Sequence, residues 1–502
     1  LLYFNGEYIT PDYQKAIYYF KLAANQNNPF AQYLLGIIFF KGKYVVPNID
    51  KAITYFTLAS NQNHCGAQYM LGSFYTDGKY VNQDIKKGIQ YFTNLADQNH
   101  VLSQYNLGII YIQGILVPRD ISKAIHYLTL AANQGHPDSQ AALGAFYTEP
   151  NLTNIDSNKA IHYFTLAANS NHPSAQFYLG CCYYEGYFIP QDINKAINYL
   201  FLSANQFNLD AIYYIGTIYY EGKYVKQDIT KAIYYLNLAA EQNDPWAQYN
   251  LGVIYSDNKY VPIDIKKAIS YFKSAAKQEN CLALLALGFI YQDYKYNQYD
   301  IYKSIYYFTQ ASNQNNEEAQ FFLGLIYLDG PGEIQNISKA IHYLSLASDQ
   351  NHSMAQFILG KIYYEGKLID RDIVKAIHYL SLSSDQNNEN AQLMLGIIYY
   401  GNKYIKRNTL KAIGYLRRAA NKNHKDAQFL LGVIYYSSNS VPQDIKLSVF
   451  YTVLASKNGN RMANFIHGFW LQEGKYLKKN IEEAIHYYKE ASSFNIEYTK
   501  II

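Results

Sequence analysis

A glycine stands at every multiple of 36 along this chain of 502 residues. The series comprises Gly36, Gly72, Gly108, Gly144, Gly180, Gly216, Gly252, Gly288, Gly324, Gly360, Gly396, Gly432 and Gly468. A tyrosine recurs with the same period, from Tyr19 and Tyr55 to Tyr487. A fixed period of this length is typical of a solenoid, in which each unit packs only on its neighbours. Residues that recur once per unit are therefore structural, and function has to be read from the positions that vary.

Each unit opens with the sequence signals of a helix. Asn28 can cap the first turn, and Pro29 suits the first helical position. Ala31 and Leu35 begin a series of apolar residues at spacings of three and four, which lie on one helical face. Because Gly36 lies on that face, we expect the backbone of a partner helix to approach it closely. A second glycine is predicted to end the helix in the left-handed conformation. These terminating glycines are Gly42, Gly78, Gly114, Gly186, Gly222, Gly330, Gly366 and Gly474.

A second helix follows after a short loop. Asn48 stands at its start, where most other units have aspartate, because a side-chain oxygen there accepts the free amides of the first turn. Ala52 and Phe56 belong to its buried stripe. Asn63 alternates with glycine at equivalent positions, which indicates a left-handed end. Each unit is therefore predicted to be a helical hairpin.

The hairpins are predicted to form a single array over residues 1–502. It consists of a partial unit at 1–27, thirteen complete repeats over 28–495 and a partial unit at 496–502. Because the chain starts and stops inside units, we interpret the sequence as a fragment of a longer protein.

Composition and charge argue against several classes of protein. The formal net charge is only +4, which does not predict a nucleic-acid-binding stripe. No apolar run approaches the roughly 20 residues of a membrane-spanning helix, so we expect no direct membrane insertion. Four cysteines, Cys65, Cys181, Cys182 and Cys281, do not follow the period. Their spacing favours a reducing compartment and a cytoplasmic location.

The recurring pattern resembles the Sel1-like repeat, a relative of the tetratricopeptide repeat with a slightly longer period. One copy shows it in Ala175, Gln176, Leu179, Gly180, Tyr183, Gly186, Asp192, Lys195, Ala196, Tyr199 and Ala204. The resemblance covers essentially the whole chain, although tyrosine stands where the family commonly has tryptophan, as at Tyr55. It implies an all-α fold, a right-handed superhelical α/α solenoid of helix-turn-helix repeats, here with a 36-residue period. It also implies a role as a scaffold or adaptor, and some members of the family are joined to protein kinase domains.

Histidine is the residue most easily mistaken for a metal ligand here. Six histidines stand where asparagine or aspartate begins the first helix of other units, and we interpret them as caps. They are His64, His100, His136, His172, His352 and His424. Five more lie on second helices just before the periodic tyrosine, at His126, His162, His342, His378 and His486. Equivalent histidines of adjacent units are about 18–20 Å apart and cannot share an ion, so we predict no metal site.

Lysine also recurs with the period, from Lys15 and Lys51 to Lys411. We interpret this series as a solvated helix face paired with nearby acidic residues, because the net charge is small. Signatures of phosphate loops, zinc proteases, kinases and nucleophile elbows are absent from the sequence. The adjacent Cys181 and Cys182 are interpreted as core residues. We therefore predict a protein that is not an enzyme and needs no cofactor.

The first helix carries the candidates for partner binding. In related helical repeats this helix lines the concave groove, and here an aromatic residue recurs two positions before the Leu-Gly pair. The candidates are these aromatics and one residue of the most variable position, three residues earlier: Tyr33, Tyr69, Tyr105, Phe177, Tyr213, Tyr249, Phe321, Phe357, Phe429 and Trp246. Tyrosine combines a large contact area with a polar tip, which is typical of binding hot spots. The alternative is that these rings pack between repeats, and the sequence leaves both open.

The leading hypothesis is a non-catalytic scaffold that binds a peptide or a protein domain along this groove. One alternative is a regulatory or targeting array of a larger signalling protein, such as a protein kinase. Another is binding of carbohydrate or cell wall through the aromatic stripe. The sequence does not decide the oligomeric state.

Overall fold

Two helices form in each unit, at the places that the caps and the apolar spacing predict. The structure is a computed structural model that describes residue 4 and residues 12–149, 156–401, 404–437 and 440–492. These residues contain 27 helices and no strands, which confirms the all-α prediction. In chain order they are α1 Tyr13–Asn25, α2 Pro29–Lys41, α3 Ile49–Ser60, α4 Cys65–Asp77, α5 Ile85–Ala96, α6 Val101–Gln113, α7 Ile121–Asn133, α8 Pro137–Thr148, α9 Ser157–Asn169, α10 Pro173–Glu185, α11 Ile193–Ala204, α12 Leu209–Glu221, α13 Ile229–Glu241, α14 Pro245–Ser256, α15 Ile265–Ala276, α16 Cys281–Gln292, α17 Ile301–Asn313, α18 Glu317–Asp329, α19 Ile337–Asp349, α20 Ser353–Glu365, α21 Ile373–Asp385, α22 Glu389–Gly401, α23 Thr409–Ala420, α24 Lys425–Ser437, α25 Ile445–Lys457, α26 Arg461–Glu473 and α27 Ile481–Ser492. Even numbers mark the first helix of a unit and odd numbers the second.

Most of the first helices begin and end at the predicted caps. The Oδ1 atom of Asn28 accepts the amide of Ala31 at 2.9 Å, and Gly42 follows α2 with a φ of 65°. Six further predicted glycines also have positive φ, namely Gly78, Gly114, Gly186, Gly222, Gly366 and Gly474. The prediction is wrong at Gly330, whose φ is −65° and ψ 153°. Pro331 follows it directly, and a residue before proline is restricted to the extended region.

The second helices are capped in the same way at every unit that carries aspartate or asparagine in the described loops. The Oδ1 atom of Asn48 accepts the amide of Lys51 at 2.9 Å, at the start of α3. After that helix, Asn63 has a φ of 61°, and Gly135 takes the equivalent place with a φ of 83°. Asparagine and glycine tolerate this left-handed conformation better than other residues. The predicted helical hairpin is therefore confirmed.

The periodic glycine allows the two helices of a unit to pack closely. A Cβ atom added to Gly36 would lie 2.5 Å from Cε1 of Phe56, and one added to Gly108 would lie 2.5 Å from Cγ of Leu128. The expected close backbone is found at Gly108, where the added atom would also lie 3.3 Å from the backbone nitrogen of Leu128, and at Gly468, where it would lie 3.1 Å from the carbonyl oxygen of Ala484. Gly414 in α23 has no such neighbour within 4 Å.

A buried glutamine ties three consecutive helices together. In α6, Nε2 of Gln104 donates to the carbonyl oxygen of Ala96 in α5 at 3.0 Å. Its Oε1 accepts from Nε2 of Gln134, which follows α7, at 2.8 Å. The same pair of hydrogen bonds occurs at Gln32, Gln176 and Gln356. These bonds satisfy an amide that would otherwise be buried at a cost.

The chain divides into two compact units, Leu1–Leu251 and Gly252–Ile502. In the first, Leu35, Phe56 and Leu71 belong to a core cluster in which each is at most 1% exposed. In the second, Phe308 and Leu323 are fully buried in another cluster. The predicted partial repeat at 496–502 lies outside the described residues. So do residues 1–3 and 5–11 of the predicted partial repeat at 1–27. The division into repeats therefore stays a prediction.

Within the described ranges, no helix combines the length and the apolar character that a membrane span requires.

Candidate functional site

The histidines that precede the first helices act as caps at five of the six predicted positions. The Nδ1 atom accepts a backbone amide at 3.1–3.3 Å in His64, His100, His136, His172 and His352. An imidazole can accept in this way only when Nδ1 carries no proton. Burial lowers the pKa of His64 and His100, which favours this neutral form. The sixth position differs, because Nδ1 of His424 is buried and has no hydrogen-bond partner among the described residues.

The aromatic stripe of one unit covers the cap of the next. The ring of Tyr33 stacks on His64 with centroids 4.5 Å apart, and Phe321 stacks on His352 at 4.3 Å. Tyr69 approaches His100 at 5.4 Å. The stripe therefore has a structural role where a histidine cap follows it.

Other members of the stripe also contact the next first helix. Nδ2 of Asn106 donates to the hydroxyl oxygen of Tyr69 at 3.2 Å, and Nδ2 of Asn250 donates to that of Tyr213 at 3.4 Å. Phe177 meets Tyr214 edge-on at 6.0 Å. Eight of the nine predicted aromatics are half-buried: Tyr33, Tyr69, Tyr105, Phe177, Tyr213, Tyr249, Phe357 and Phe429. Phe321 is buried, with 8% of its surface exposed.

Burial also affects the phenol groups of this stripe. It raises the pKa of Tyr105, Tyr213 and Tyr249, and the carboxylate of Asp138 adds to the effect at Tyr105. The hydroxyl groups therefore stay protonated at neutral pH and can act as hydrogen-bond donors. The role of these rings in partner binding stays a prediction.

The variable position three residues before the stripe is more exposed. Trp246, the one predicted site residue there, is 49% exposed. Large apolar side chains at the same position in other units are equally open: Phe30, Leu102, Leu282, Met354 and Met462. None of these five was among the predicted site residues, although the 36-residue register places each of them with Trp246. We call these six residues the first-helix face.

One part of the first-helix face borders a cavity of about 380 Å³ on α18 and α20. Its apolar lining includes Leu325, Met354 and Phe357, so a predicted stripe residue and an exposed variable residue meet in one site. Charged side chains also line it, and Glu365 pairs with Lys361 at 3.8 Å. A concave apolar surface with a few charged groups is typical of a binding site.

The periodic lysines are engaged locally. In α7, Nζ of Lys123 lies 3.4 Å from the carboxylate of Asp120 and 5.1 Å from the ring centroid of Tyr111. Tyr111 in turn stacks on Tyr127 at 6.2 Å. Both lysine contacts recur at Lys159, Lys195, Lys231, Lys303 and Lys375. The predicted pairing with acidic residues is confirmed for these lysines, and each ammonium group also makes a cation–π contact.

The remaining chemistry-bearing residues do not converge on a reactive centre. Burial raises the pKa of Cys182 to about 11 and raises that of Cys181 further, so neither thiol is an activated nucleophile at neutral pH. Exposed His126 packs edge-on against Tyr127 at 5.2 Å. In the part of the chain that the structure describes, no three histidine, cysteine or acidic side chains form a group that could hold a metal ion.

Comparisons with known proteins place these features in a family. The sequence model of the Sel1 repeat matches residues 1–28, 29–64, 66–100, 101–136, 137–172, 173–206, 209–244, 247–280, 282–316, 317–352, 353–388, 390–424, 425–460 and 461–493. A search of curated proteins finds no match.

Two solved structures are similar to the chain over most of their own length. One is a protective antigen present in uropathogenic Escherichia coli strains and displaying an SLR fold; it is 24% identical, with a TM-score of 0.61 over 88% of this chain and 94% of that chain. The other is a Sel1 repeat protein from Oxalobacter formigenes, 28% identical, with a TM-score of 0.51 over 63% of this chain and 91% of that chain. The family match extends over nearly every repeat, and the caps, glycines and helix pairs agree with it. The chain therefore belongs to the Sel1 repeat family.

Proposed function

We propose that the protein is a non-catalytic scaffold that binds other proteins through the first-helix face. Sel1 repeat proteins are generally protein-interaction scaffolds. The observation that carries the proposal is the exposure of large apolar residues at the most variable position of the repeat. Trp246 and Met354 are 49% and 42% exposed, whereas the invariant positions around them are buried.

The chemistry of this face suits protein ligands. Tryptophan, phenylalanine and methionine bury large apolar areas on binding, and tryptophan is among the residues most enriched in hot spots. Polar residues take the same position in other units, such as Asp138, Asp210 and Glu318. Within either compact unit, a partner would therefore meet apolar and acidic contacts that differ from one repeat to the next.

The cavity beside Met354 is where we expect a partner side chain to insert. Leu325 and Phe357 supply apolar walls, and the Lys361–Glu365 pair lies at the edge. An extended peptide or a helix with one apolar anchor and a flanking charge would fit this arrangement.

We also propose a cytoplasmic location, as the sequence predicts.

The test is affinity capture with the whole chain as bait, followed by measurement of the dissociation constant for the main captured protein. We expect Trp246→Ala or Met354→Ala to weaken binding by at least about tenfold, because truncating a hot spot costs roughly 2 kcal/mol or more. Leu202→Ala is the matched control, since Leu202 is 39% exposed on the second helix α11. Its affinity should equal that of the unmodified chain.

Equal affinity in all three variants would remove the first-helix face from the binding site. Loss of binding in Tyr213→Ala or Tyr249→Ala is less informative, because Tyr213 also supports packing on Asn250. Capture of glycans instead of protein on an array would favour carbohydrate binding and contradict the proposal.

A further inference from the structure

One buried position near the end of the described chain carries a different residue type from the same position in the other repeats. The position is leucine in most units, as in Leu395 and Leu431, and both are fully buried. In α26 it is His467, which is only 4% exposed. Burying an imidazole in place of leucine costs free energy unless its nitrogens find partners.

Only one ring nitrogen of His467 has a partner among the described residues. Nδ1 lies 3.0 Å from Oγ of Ser456, and that hydroxyl donates its single proton to Oδ1 of Asn464 at 2.7 Å. Ser456 must therefore accept from Nδ1–H. This assignment leaves Nε2 as the atom without a hydrogen bond. The ring of Tyr487 packs against the imidazole at 4.0 Å and holds its orientation.

His467 lines a cavity of about 440 Å³ on α25, α26 and the start of α27. Three lysines contribute to the same cavity, Lys457, Lys478 and Lys479, together with one carboxylate, Glu483. The Oε2 atom of that carboxylate accepts from Nδ2 of the cap residue Asn480 at 3.0 Å. The cavity therefore combines an excess of positive charge with a histidine whose Nε2 has no hydrogen-bond partner among the described residues.

We propose that this cavity binds a small oxyanion, a carboxylate or a phosphate group, between the three lysines and Nε2 of His467. The lysine ammonium groups supply the charge, and the imidazole supplies a directional hydrogen bond at the floor of the site. The amides in the first turn of α27 add the positive end of a helix dipole.

Binding of such an anion is coupled to uptake of a proton. Burial lowers the pKa of His467, Glu483 raises it and Lys457 lowers it, with burial the largest cause. The ring is therefore neutral near pH 7, whereas hydrogen bonding to an oxyanion needs a proton on Nε2. Lys478, Lys479 and Tyr487 are the other titratable groups of the cavity, and burial raises the pKa of Tyr487. Affinity should consequently rise as the pH falls.

The test is an NMR titration of the full chain labelled at its histidine rings, with inorganic phosphate and separately with acetate, at about pH 6 and about pH 8. We expect a saturable shift of the His467 resonance with at least one anion, and tighter binding at the lower pH. The arm that saturates identifies phosphate or carboxylate as the better ligand. A Lys478→Ala/Lys479→Ala variant should bind at least about tenfold more weakly, because two charge-assisted contacts are lost.

Two further variants keep the proposal falsifiable. Lys475→Ala is the matched control, since Lys475 lies over the ring of Tyr476 at 5.2 Å and does not line the cavity. His467→Leu restores the residue of the other units, and calorimetry with the same anions should show that it abolishes the pH dependence of binding. No saturable shift with either anion, or equal affinity in the double lysine variant and the control, would overturn the proposal.

Discussion

At the scale of single residues, the hydrogen-bond partners of the buried glutamines could not be predicted from the sequence. The sequence identifies the glutamine of the Ala-Gln pair as a recurring residue, but a polar residue on an apolar helical face does not reveal its partners. The structure shows that Gln104 joins α5, α6 and the end of α7 through two hydrogen bonds. These bonds depend on how consecutive units stack, which no local pattern predicts.

Three repeats lack half of this arrangement, and one of them predicts a stabilising substitution. Among the described residues, Oε1 is buried without a hydrogen-bond partner in Gln68, Gln140 and Gln392. After Gln140, Ser170 stands where Gln134 stands one repeat earlier. Ser170→Gln should supply the missing donor and raise the free energy of unfolding by about 1 kcal/mol. Chemical denaturation monitored by circular dichroism measures this change. Ser170→Ala is the control and should leave stability nearly unchanged, and a Gln variant no more stable than that control would contradict the account.

The residues of the first-helix face and of the aromatic stripe could be only partly predicted from the sequence. The stripe and the variable position both follow from the register, and Trp246 was identified among the candidates. The burial of Phe321 and the contact of Tyr213 with Asn250 could not be predicted, because both depend on the neighbouring unit. The exposed Leu282 and Met462 could have been found by applying the register to every unit.

At the scale of helices, the ends of each element are set by local chemistry and were largely predictable. Asn28, Asp120 and Gly42 act at the caps as expected, because side-chain oxygens and left-handed glycines work over three or four residues. The failure at Gly330 has a local cause in Pro331, which a reading of the sequence alone could have included. Helix ends are thus well predicted wherever the determinant is a neighbour along the chain.

The histidine caps make helix stability dependent on pH. Burial lowers the folded-state pKa of His64 and His100 below the unfolded value of about 6.5, so the unfolded chain takes up protons first as the pH falls. Their contribution to stability is therefore complete above about pH 6.5 and is lost on acidification through the folded-state pKa. In a His64→Asn/His100→Asn variant, asparagine caps as Asn28 does and this part of the loss should disappear.

The measurement compares denaturant midpoints of the two proteins at about pH 7.5 and about pH 5. Each lost cap is worth up to about 1 kcal/mol, so the variant should lose measurably less stability on acidification than the unmodified chain. His126→Asn is the control, because exposed His126 caps no helix. An identical acid response in the double variant and this control would show that the caps do not titrate as described.

At the scale of the whole molecule, the free energy of unfolding is a sum of contributions from the individual repeats and from the interfaces between neighbouring repeats. Each of the two compact units contains several buried clusters, and each cluster involves only helices that are close in the sequence. The period predicted this organisation, because every unit exposes an apolar face that only its neighbours can cover.

A core substitution should therefore have a local effect. Leu107 in α6 is fully buried, and Leu107→Ala should cost roughly 2–5 kcal/mol through the lost apolar contacts and the cavity left behind. We expect faster amide hydrogen exchange in α5 to α8, and little change in α12 and α13, when exchange is followed by mass spectrometry. Leu102→Ala on the same helix is the control, since Leu102 is 44% exposed. A uniform increase across the first compact unit would instead indicate one cooperative block.

The open position ahead of the aromatic stripe has a consequence for engineering. The side chains of Leu102 and Trp246 are 44% and 49% exposed, whereas the ring of Phe30 lies 6.2 Å from that of the cap residue His64. Under the proposed function, a combinatorial library randomised at these two positions would change the binding specificity of the protein while leaving its scaffold intact.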